Sequence, residues 1–169
     1  MHPKERTFAA KVTSGRGIAR AHIAQSSAEI ESLTAGRPVS GTLNLLLRRP
    51  LLLSHGSALA FDHGRRFLWP ARLNDYPIWL YRWQNAPLHV VECVSPVILR
   101  EQLGLSDGDA VGISVRMADL EPMSVSAWLV WAALWWGRRE WAYECEHDPH
   151  TRRATRWGAR WGAVQSAQE

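Results

Sequence analysis

The sequence lacks most of the features that mark secreted or membrane-spanning proteins. Its 169 residues include only two cysteines, Cys93 and Cys145, so a disulfide framework is not expected and a reducing compartment is predicted. No N-terminal stretch combines charged, apolar and small residues in the order of a secretion signal. The most apolar run, residues 127–136, has about half the length that a transmembrane helix requires. We therefore expect a cytoplasmic protein without a transmembrane segment.

The chain also lacks internal repeats and low-complexity blocks. Apolar residues make up 46% of it and charged residues 21%, which is typical of a globular protein rather than a disordered or fibrous one. The length fits one ordinary domain. The net charge of +4 arises in the first two-thirds, where residues 1–117 contain 14 Lys and Arg against 9 Asp and Glu. This surplus suits a phosphate-bearing ligand, although many proteins that bind no anion have a similar one.

Short stretches with the composition or alternation of β-strands fill the first two-thirds of the chain. Turn residues separate them, and they are Thr7–Thr13, Thr42–Leu47, Phe67–Leu73, Ile78–Trp83, Leu88–Val94 and Ala110–Arg116. Helical turns are predicted at Ser27–Thr34 and from Pro96 to Gly104. Many short strands with little helix indicate a β-barrel or β-sandwich with one or two short helices.

The C-terminal part differs in composition, because seven of the ten tryptophans lie from Trp128 onward, among Arg, Gly and Ala. We divide the chain into residues 1–118 and a Trp- and Arg-rich extension, residues 119–169. Trp128, Trp131 and Trp135 have helical spacing, so one interpretation is a helix that covers an open end of a barrel. A surface for a membrane or a partner is a second interpretation. A third interpretation is a tail without selected function, translated from an altered reading frame of the gene.

Four segments, in order, resemble the motifs of one protein family. They are Lys11–Arg20 (KVTSGRGIAR), Gly36–Leu45 (GRPVSGTLNL), Val90–Pro96 (VVECVSP) and Val97–Asp109 (VILREQLGLSDGD). The first is similar to a strand and glycine loop of the form S-G-x-G-x-G-R, the second contains the hallmark G-T-L-N-L, and the last two resemble E-x-x-(A/S)-P-x-x-L-R-E-x-x-x-L-x-D-G-D. Residues 8–117 thus resemble the archaeal-type, CTP-dependent riboflavin kinase family. The resemblance implies a six-stranded cradle-loop β-barrel that uses CTP and Mg²⁺ to phosphorylate riboflavin, giving FMN and CDP.

The first segment supplies a loop after a strand, formed by Gly15, Arg16, Gly17, Ile18, Ala19 and Arg20. Glycines let backbone N–H groups approach phosphate oxygens, and an arginine adds a fork of charged donors. From the residues alone, an ordinary turn with a surface arginine is the alternative. The resemblance implies that the loop binds the nucleotide phosphates, and that the base is read, largely by backbone groups, at Val97, Ile98, Leu99 and Arg100. An ion pair with Asp107 or Asp109 is the structural alternative for the arginine.

Thr42 and Asn44 are two residues apart in a predicted strand, so both side chains leave the same face. A hydroxyl and an amide oxygen suit Mg²⁺, which takes other ligands from water and nucleotide phosphates. Hydrogen bonds to the backbone are the alternative for such a pair. The resemblance implies that this pair holds Mg²⁺ and that Glu92 is the catalytic residue at the acceptor hydroxyl. The strand pattern leaves open whether the face of Glu92 is core or cleft, and pairing with an arginine is its structural alternative.

Two positions depart from the family pattern. Ala19 replaces the third glycine of the loop, which removes a position free to adopt positive φ. Gln84 occupies the acceptor-binding position, where the family has a hydroxyl residue in contact with the flavin. Aromatic rings near the expected acceptor either stack on an isoalloxazine or fill the core, and they belong to Trp69, Trp79 and Trp83.

The leading hypothesis is an enzyme that transfers a phosphoryl group from CTP to riboflavin or a related hydroxyl acceptor. A nucleotide-binding module without kinase activity is the first alternative, which Ala19 and Gln84 favour. A DNA-binding protein is the second, because residues 103–111 also resemble a signature of swapped-hairpin transcription factors. No run of Arg and Lys marks a groove-facing element, so we expect a nucleotide and a small acceptor as partners rather than nucleic acid. One further group of metal-ligand types, in a spacing that matches no familiar zinc pattern, consists of Cys145, His147 and His150.

Overall fold

The chain folds into a mainly β domain in a computed structural model that describes residues 4–15, 17–137 and 139–140. Within these residues the strands are β1 (Glu5–Thr13), β2 (Leu43–Leu47), β3 (Leu59–Phe61), β4 (Arg66–Leu73), β5 (Tyr76–Trp83), β6 (Val90–Val94) and β7 (Ala110–Arg116). The helices are α1 (Ile18–Gln25), α2 (Ser27–Thr34), α3 (Leu99–Leu103) and α4 (Val125–Trp135). Two single 3₁₀ turns lie at His55–Ser57 and Met117–Asp119.

Six strands close into an antiparallel barrel in the order β4-β5-β6-β2-β1-β7, and pairing of β7 with β4 completes it. Strand β3 lies outside the barrel and pairs with β4. The predicted six-stranded barrel is confirmed. Alternate residues of each strand point inward, and the apolar side chains that fill the interior include Val12, Leu45, Leu80, Val91 and Ile113.

The predicted elements agree best with the structure where alternation or caps are clear. Strand β7 at Ala110–Arg116 and helix α2 at Ser27–Thr34 have the predicted bounds. The sequence pattern indicates neither β3 nor α1. Three residues are too few to show a period of two, and α1 begins inside the segment assigned to the glycine loop. That loop therefore ends at Gly17, whose left-handed φ of 72° starts the helix, so residues 18–20 form a helical turn.

Helices α1 and α2 pack against the outside of the barrel. Ile23 of α1 and Ile30 of α2 are fully buried in a second apolar cluster that also contains Phe61, Leu68, Tyr81 and Val94. The strand residues of this cluster alternate with those that fill the interior, so they belong to the outer face. Beside the start of α1, the outer face of β2, β6 and β5 forms the floor of a cleft.

Helix α4 covers barrel surface near the turn between β5 and β6. Its Trp131 and Trp135 are buried on either side of His89, which has no exposed surface. Trp131 Nε1 donates to His89 Nδ1 at 3.1 Å, and His89 Nε2 lies 3.2 Å from the carbonyl oxygen of Arg139. Trp128, Trp131 and Trp135 therefore lie in one helix, as their spacing predicts, while the covering of an open barrel end and the division at residue 118 stay predictions.

The remainder of the extension lies outside the described residues. This segment, residues 141–169, includes Cys145, His147 and His150. The interpretation of these residues as a tail without selected function therefore also lies outside the described residues. Within the part of the chain that the structure describes, no helix has the length and apolarity needed to cross a membrane.

His89 is expected to make folding weaker at acidic pH. Burial lowers its pKa from 6.5 to about 4, so the unfolded chain takes up a proton before the folded one as the pH falls. This difference in pKa contributes about 3 kcal/mol to the free energy of unfolding. The contribution is fully present above pH 6.5 and is lost as the pH falls to about 4. Urea denaturation of the parent and His89→Asn between pH 7 and pH 4 measures it. The variant should lose stability less steeply, and parallel profiles would contradict the assignment.

Candidate active site

A row of polar side chains crosses the outer face of three neighbouring strands. Asn44 of β2 lies directly opposite Glu92 of β6, and Glu92 lies directly opposite Tyr81 of β5. Residues in register on adjacent strands have side chains on the same face, about 5 Å apart. The neighbours Leu45 and Val91 fill the barrel interior. The face of Glu92 is therefore on the cleft side of the sheet, which settles the point that the strand pattern leaves open.

Glu92 is a nearly buried carboxylate, 5% exposed, and it contacts the residue just before β2. The Thr42 hydroxyl donates to Glu92 Oε2 at 2.6 Å. This hydrogen bond joins a predicted metal ligand to the predicted catalytic residue. The amide of Asn44 lies beside them, and its oxygen and the Thr42 hydroxyl are donors of the kind that fits Mg²⁺.

The glycine loop lies against this group. A Cβ added to Gly15 would overlap the amide of Asn44, closer than any van der Waals contact allows, so only glycine lets the backbone come this near. Asn44 thus lies directly against the exposed backbone of Gly15. Such a loop presents N–H groups to an anion at short range.

An ion pair and hydrogen bonds fix the position of the loop. Ser14 Oγ donates to Asp107 Oδ2, and Arg100 Nη2 donates to Asp107 Oδ1 at 2.6 Å. Arg100 Nη2 also donates to the Thr13 carbonyl oxygen at 3.1 Å. The hydrogen bonds from Ser14 and Arg100 hold the pKa of Asp107 below its ordinary value. The loop is therefore tied to α3 and to the turn before β7.

These elements enclose a cleft of about 630 Å³. Its walls are the glycine loop, the first turn of α1, the segment before β2 and the outer face of β4, β5 and β6. Three guanidinium groups and one imidazole line it together with two carboxylates, and these residues are Arg20, Arg66, Arg100, His22, Glu92 and Asp107. The cleft has the size and the polar lining of a site for an anionic small molecule.

Comparisons with known proteins agree with this geometry. The model of the CTP-dependent riboflavin kinase family, described as domain of unknown function DUF120, matches residues 12–115. This match runs from the end of β1 through β7. The chain belongs to this family. It is also 28% identical over 122 residues to a protein named riboflavin kinase from Ignicoccus hospitalis, covering 62% of this chain and 68% of the relative.

Most of the residues that the family motifs single out line the cleft. They are Gly15, Gly17, Ile18, Ala19, Arg20, Thr42, Asn44, Glu92 and Arg100, while Arg16 lies outside the described residues. The structure brings together residues from four separate segments, as a shared site requires. The nucleotide, metal and catalytic roles of these residues remain predictions.

Four other predicted residues do not line the cleft. Leu99 is buried in the barrel core, Val97 packs against that core, and Ile98 is half-exposed at the start of α3. Their predicted role is backbone contact with the nucleotide base, which does not require these side chains to face the cleft. Gln84 is exposed in the turn after β5 and its backbone N–H donates to the Arg65 carbonyl oxygen, so its side chain is not among those that line the cleft.

The structure adds cleft residues that the motifs do not indicate. Arg66 Nε donates to Asp62 Oδ2 at 2.8 Å, and Arg66 Nη1 donates to the hydroxyl of Tyr81. Trp83 lines the cleft beside them, directly opposite Arg66 in the strand register. His22 of α1 completes this side, and burial, followed by the charge of Arg66, lowers the pKa of its imidazole.

The three aromatic residues that are candidates for contact with the acceptor do not all lie on the same face of the sheet. Trp69 fills the barrel interior, where its indole Nε1 donates to the Ser54 carbonyl oxygen at 2.8 Å. Trp79 packs on the second apolar cluster, and Trp83 reaches the cleft. The two-residue period of β5 puts Trp79, Tyr81 and Trp83 on one face. This period is the sequence feature from which Tyr81 and Trp83 could be placed on the same side of the strand.

Proposed function

We propose that this protein transfers the γ-phosphoryl group of CTP to the terminal hydroxyl of riboflavin in the presence of Mg²⁺, giving FMN and CDP. Membership of the riboflavin kinase family supports the reaction, and the name of that family, CTP-dependent riboflavin kinase, supports CTP as donor. The observation that carries the proposal is the hydrogen bond of Thr42 to Glu92 beside Asn44. It puts candidate metal ligands and a candidate proton acceptor next to each other beneath the glycine loop.

The donor half of the site is built from the loop and the start of β2. Backbone N–H groups of the loop, with Arg20 on the first turn of α1, would bind the phosphates of CTP. Thr42 and Asn44 would hold Mg²⁺, whose charge stabilises the phosphate oxygens during transfer. Arg100 contributes by holding Asp107 and the backbone of Thr13, which fixes the loop in place.

Glu92 is the residue proposed to act on the acceptor. Its carboxylate would take the proton of the riboflavin hydroxyl as that oxygen bonds to the γ-phosphorus and the bond to the β-phosphate oxygen of CTP breaks. CDP leaves with the electron pair of that bond. The hydrogen bond from Thr42 keeps the carboxylate beside the proposed metal ligands, which would help to bring nucleophile and phosphoryl group into line.

The deciding assay is FMN formation from riboflavin with CTP, ATP, GTP or UTP, with Mg²⁺ and with excess EDTA. We expect FMN with CTP and Mg²⁺ and little product in the other reactions. CTP binding without any FMN would instead support the alternative, a nucleotide-binding module without kinase activity. Faster reaction with ATP, or full activity in EDTA, would contradict the donor or the metal assignment.

Thr42→Ala and Asn44→Ala are each expected to raise the Kd for CTP in the presence of Mg²⁺ about tenfold or more, which is ~1.4 kcal/mol. Each change deletes one proposed metal ligand and little core. Without Mg²⁺ the affinities of parent and variants should converge. Calorimetric titration with CTP measures this, and Thr7→Ala, an exposed hydroxyl on β1 outside the cleft, is the control. Unchanged Mg²⁺-dependent affinity in both variants would remove the pair from the metal site.

A further inference from the structure

A cluster of Arg66, Tyr81 and Trp83 forms the part of the cleft beyond Glu92, away from the glycine loop. No family motif includes these residues. Arg66 is held at two points, by Asp62 through Nε and by the Tyr81 hydroxyl through Nη1. Asp62 itself belongs to the tight turn between β3 and β4, where its φ is 50°. The guanidinium is thus fixed in orientation.

The hydrogen bond from Arg66 defines the Tyr81 hydroxyl as a hydrogen-bond donor to its other partner. Its oxygen accepts from Arg66 Nη1, so its single proton is available to donate elsewhere. Burial raises the pKa of the phenol, which keeps that proton in place at neutral pH. Tyr81 is 1% exposed and lies in the wall of the cleft, so the donor serves a hydrogen-bond acceptor directly at that wall, on a ligand or on the neighbouring Glu92.

The order of residues along the sheet gives this part of the cleft a length scale. Asn44, Glu92 and Tyr81 are successive register partners on three strands, and adjacent strands lie about 4.8 Å apart. Trp83 is two residues farther along β5, about 7 Å from Tyr81. A molecule whose reacting hydroxyl lies at Glu92 would therefore meet a hydrogen-bonding pair about 5 Å away and an aromatic ring beyond it.

We propose that Tyr81 and Arg66 bind the hydroxyl groups in the middle of the acceptor's polyhydroxyl chain, and that Trp83 contacts the planar ring at its far end. This inference rests on the proposed function and specifies the acceptor class: a primary alcohol joined to an aromatic ring through a chain with oxygen substituents. Tyr81 contacts the acceptor directly, while Asp62 is a positioning residue that acts through Arg66. The cluster supplies the acceptor contacts that Gln84, exposed in its turn, does not.

Direct binding of two flavins tests the chain contact, with riboflavin fluorescence as the readout. One ligand is riboflavin, and the other is an isoalloxazine with a 5-hydroxypentyl chain, which lacks the secondary hydroxyls. Tyr81→Phe should raise the Kd for riboflavin about five- to tenfold, as expected for one lost hydrogen bond, and leave the Kd for the analogue unchanged. Tyr76→Phe on the same strand, whose side chain packs on the core, is the matched control.

The same titrations separate Arg66 from general charge effects. Arg66→Met should also weaken riboflavin binding more than binding of the analogue, whereas Arg65→Met, its exposed neighbour, should change neither. Trp83→Leu should weaken both ligands, because both carry the ring. The Kd for CTP should stay within about twofold of the parent value in all variants, since no donor-side residue is touched.

Several outcomes would overturn the acceptor subsite. Equal losses for riboflavin and the analogue in Tyr81→Phe would show a structural effect, and no loss for either would remove the hydroxyl from the site. Absence of saturable riboflavin binding by the parent would overturn it as well. The proposed function fails separately: a parent that binds riboflavin with the predicted variant pattern but forms no FMN retains the subsite and lacks the transfer reaction.

Discussion

Glu92→Gln is expected to lower kcat for FMN formation by about two to four orders of magnitude, the usual contribution of a positioned general base. The amide has the size of the carboxylate, and its oxygen can still accept the hydrogen bond that Thr42 donates to Oε2. Fold and donor site should therefore persist. What is lost is the basic oxygen that takes the proton of the acceptor hydroxyl.

The measurement is steady-state FMN formation by the parent and Glu92→Gln at saturating CTP, riboflavin and Mg²⁺, with CTP affinity determined in parallel. The Kd for CTP should remain within about twofold, because Glu92 is proposed to act on the acceptor and not on CTP. Glu101→Gln, an exposed carboxylate on α3, controls for loss of a negative charge. A Glu92→Gln enzyme with parental kcat would exclude Glu92 from the mechanism.

Gly15→Ala is expected to raise the Kd for CTP about tenfold or more, although it adds only one methyl group. That methyl would occupy the position of the Asn44 amide, so either the loop or Asn44 has to move. Displacement of the loop separates its N–H groups from the phosphates, and displacement of Asn44 disturbs the proposed metal ligands. Rotation of the Asn44 side chain is the easier of the two relaxations, because the overlap involves only the amide at its end, and it takes a proposed metal ligand out of place.

Thermal stabilisation by CTP and Mg²⁺ measures this effect, since ligand at one hundred times its Kd adds about 2.7 kcal/mol to the parent. Gly15→Ala should lose about half of this stabilisation or more. Gly36→Ala is the matched control, because a Cβ at Gly36 meets nothing within 4 Å and its φ is not in the left-handed range. Gly15→Ala with parental stabilisation would show that the close approach of loop and Asn44 has no part in binding.

The motifs name more residues of the proposed donor side than of the proposed acceptor side, and the reason is physical. The proposed donor groups lie in short segments in which neighbouring residues carry the proposed role. Gly15 allows the backbone to come close to Asn44, and Thr42 and Asn44 form an oxygen pair at the start of a strand. Such segments can be recognised in the sequence alone. The acceptor side, with Tyr81 and Arg66, is assembled from strands that no local motif joins.

By itself, the sequence determined the family, the barrel class and most strands. Alternation with a period of two reports which residues share a strand face, and it is a local property. Only the tertiary structure decided that Glu92 faces a cleft with Asn44 and Tyr81 as partners, that Gln84 stays in an exposed turn, and that Arg66 reaches Tyr81. These facts depend on strand register and on the closure of β7 onto β4. Register and closure are fixed by burial of the whole interior at once, which no short segment of the chain encodes.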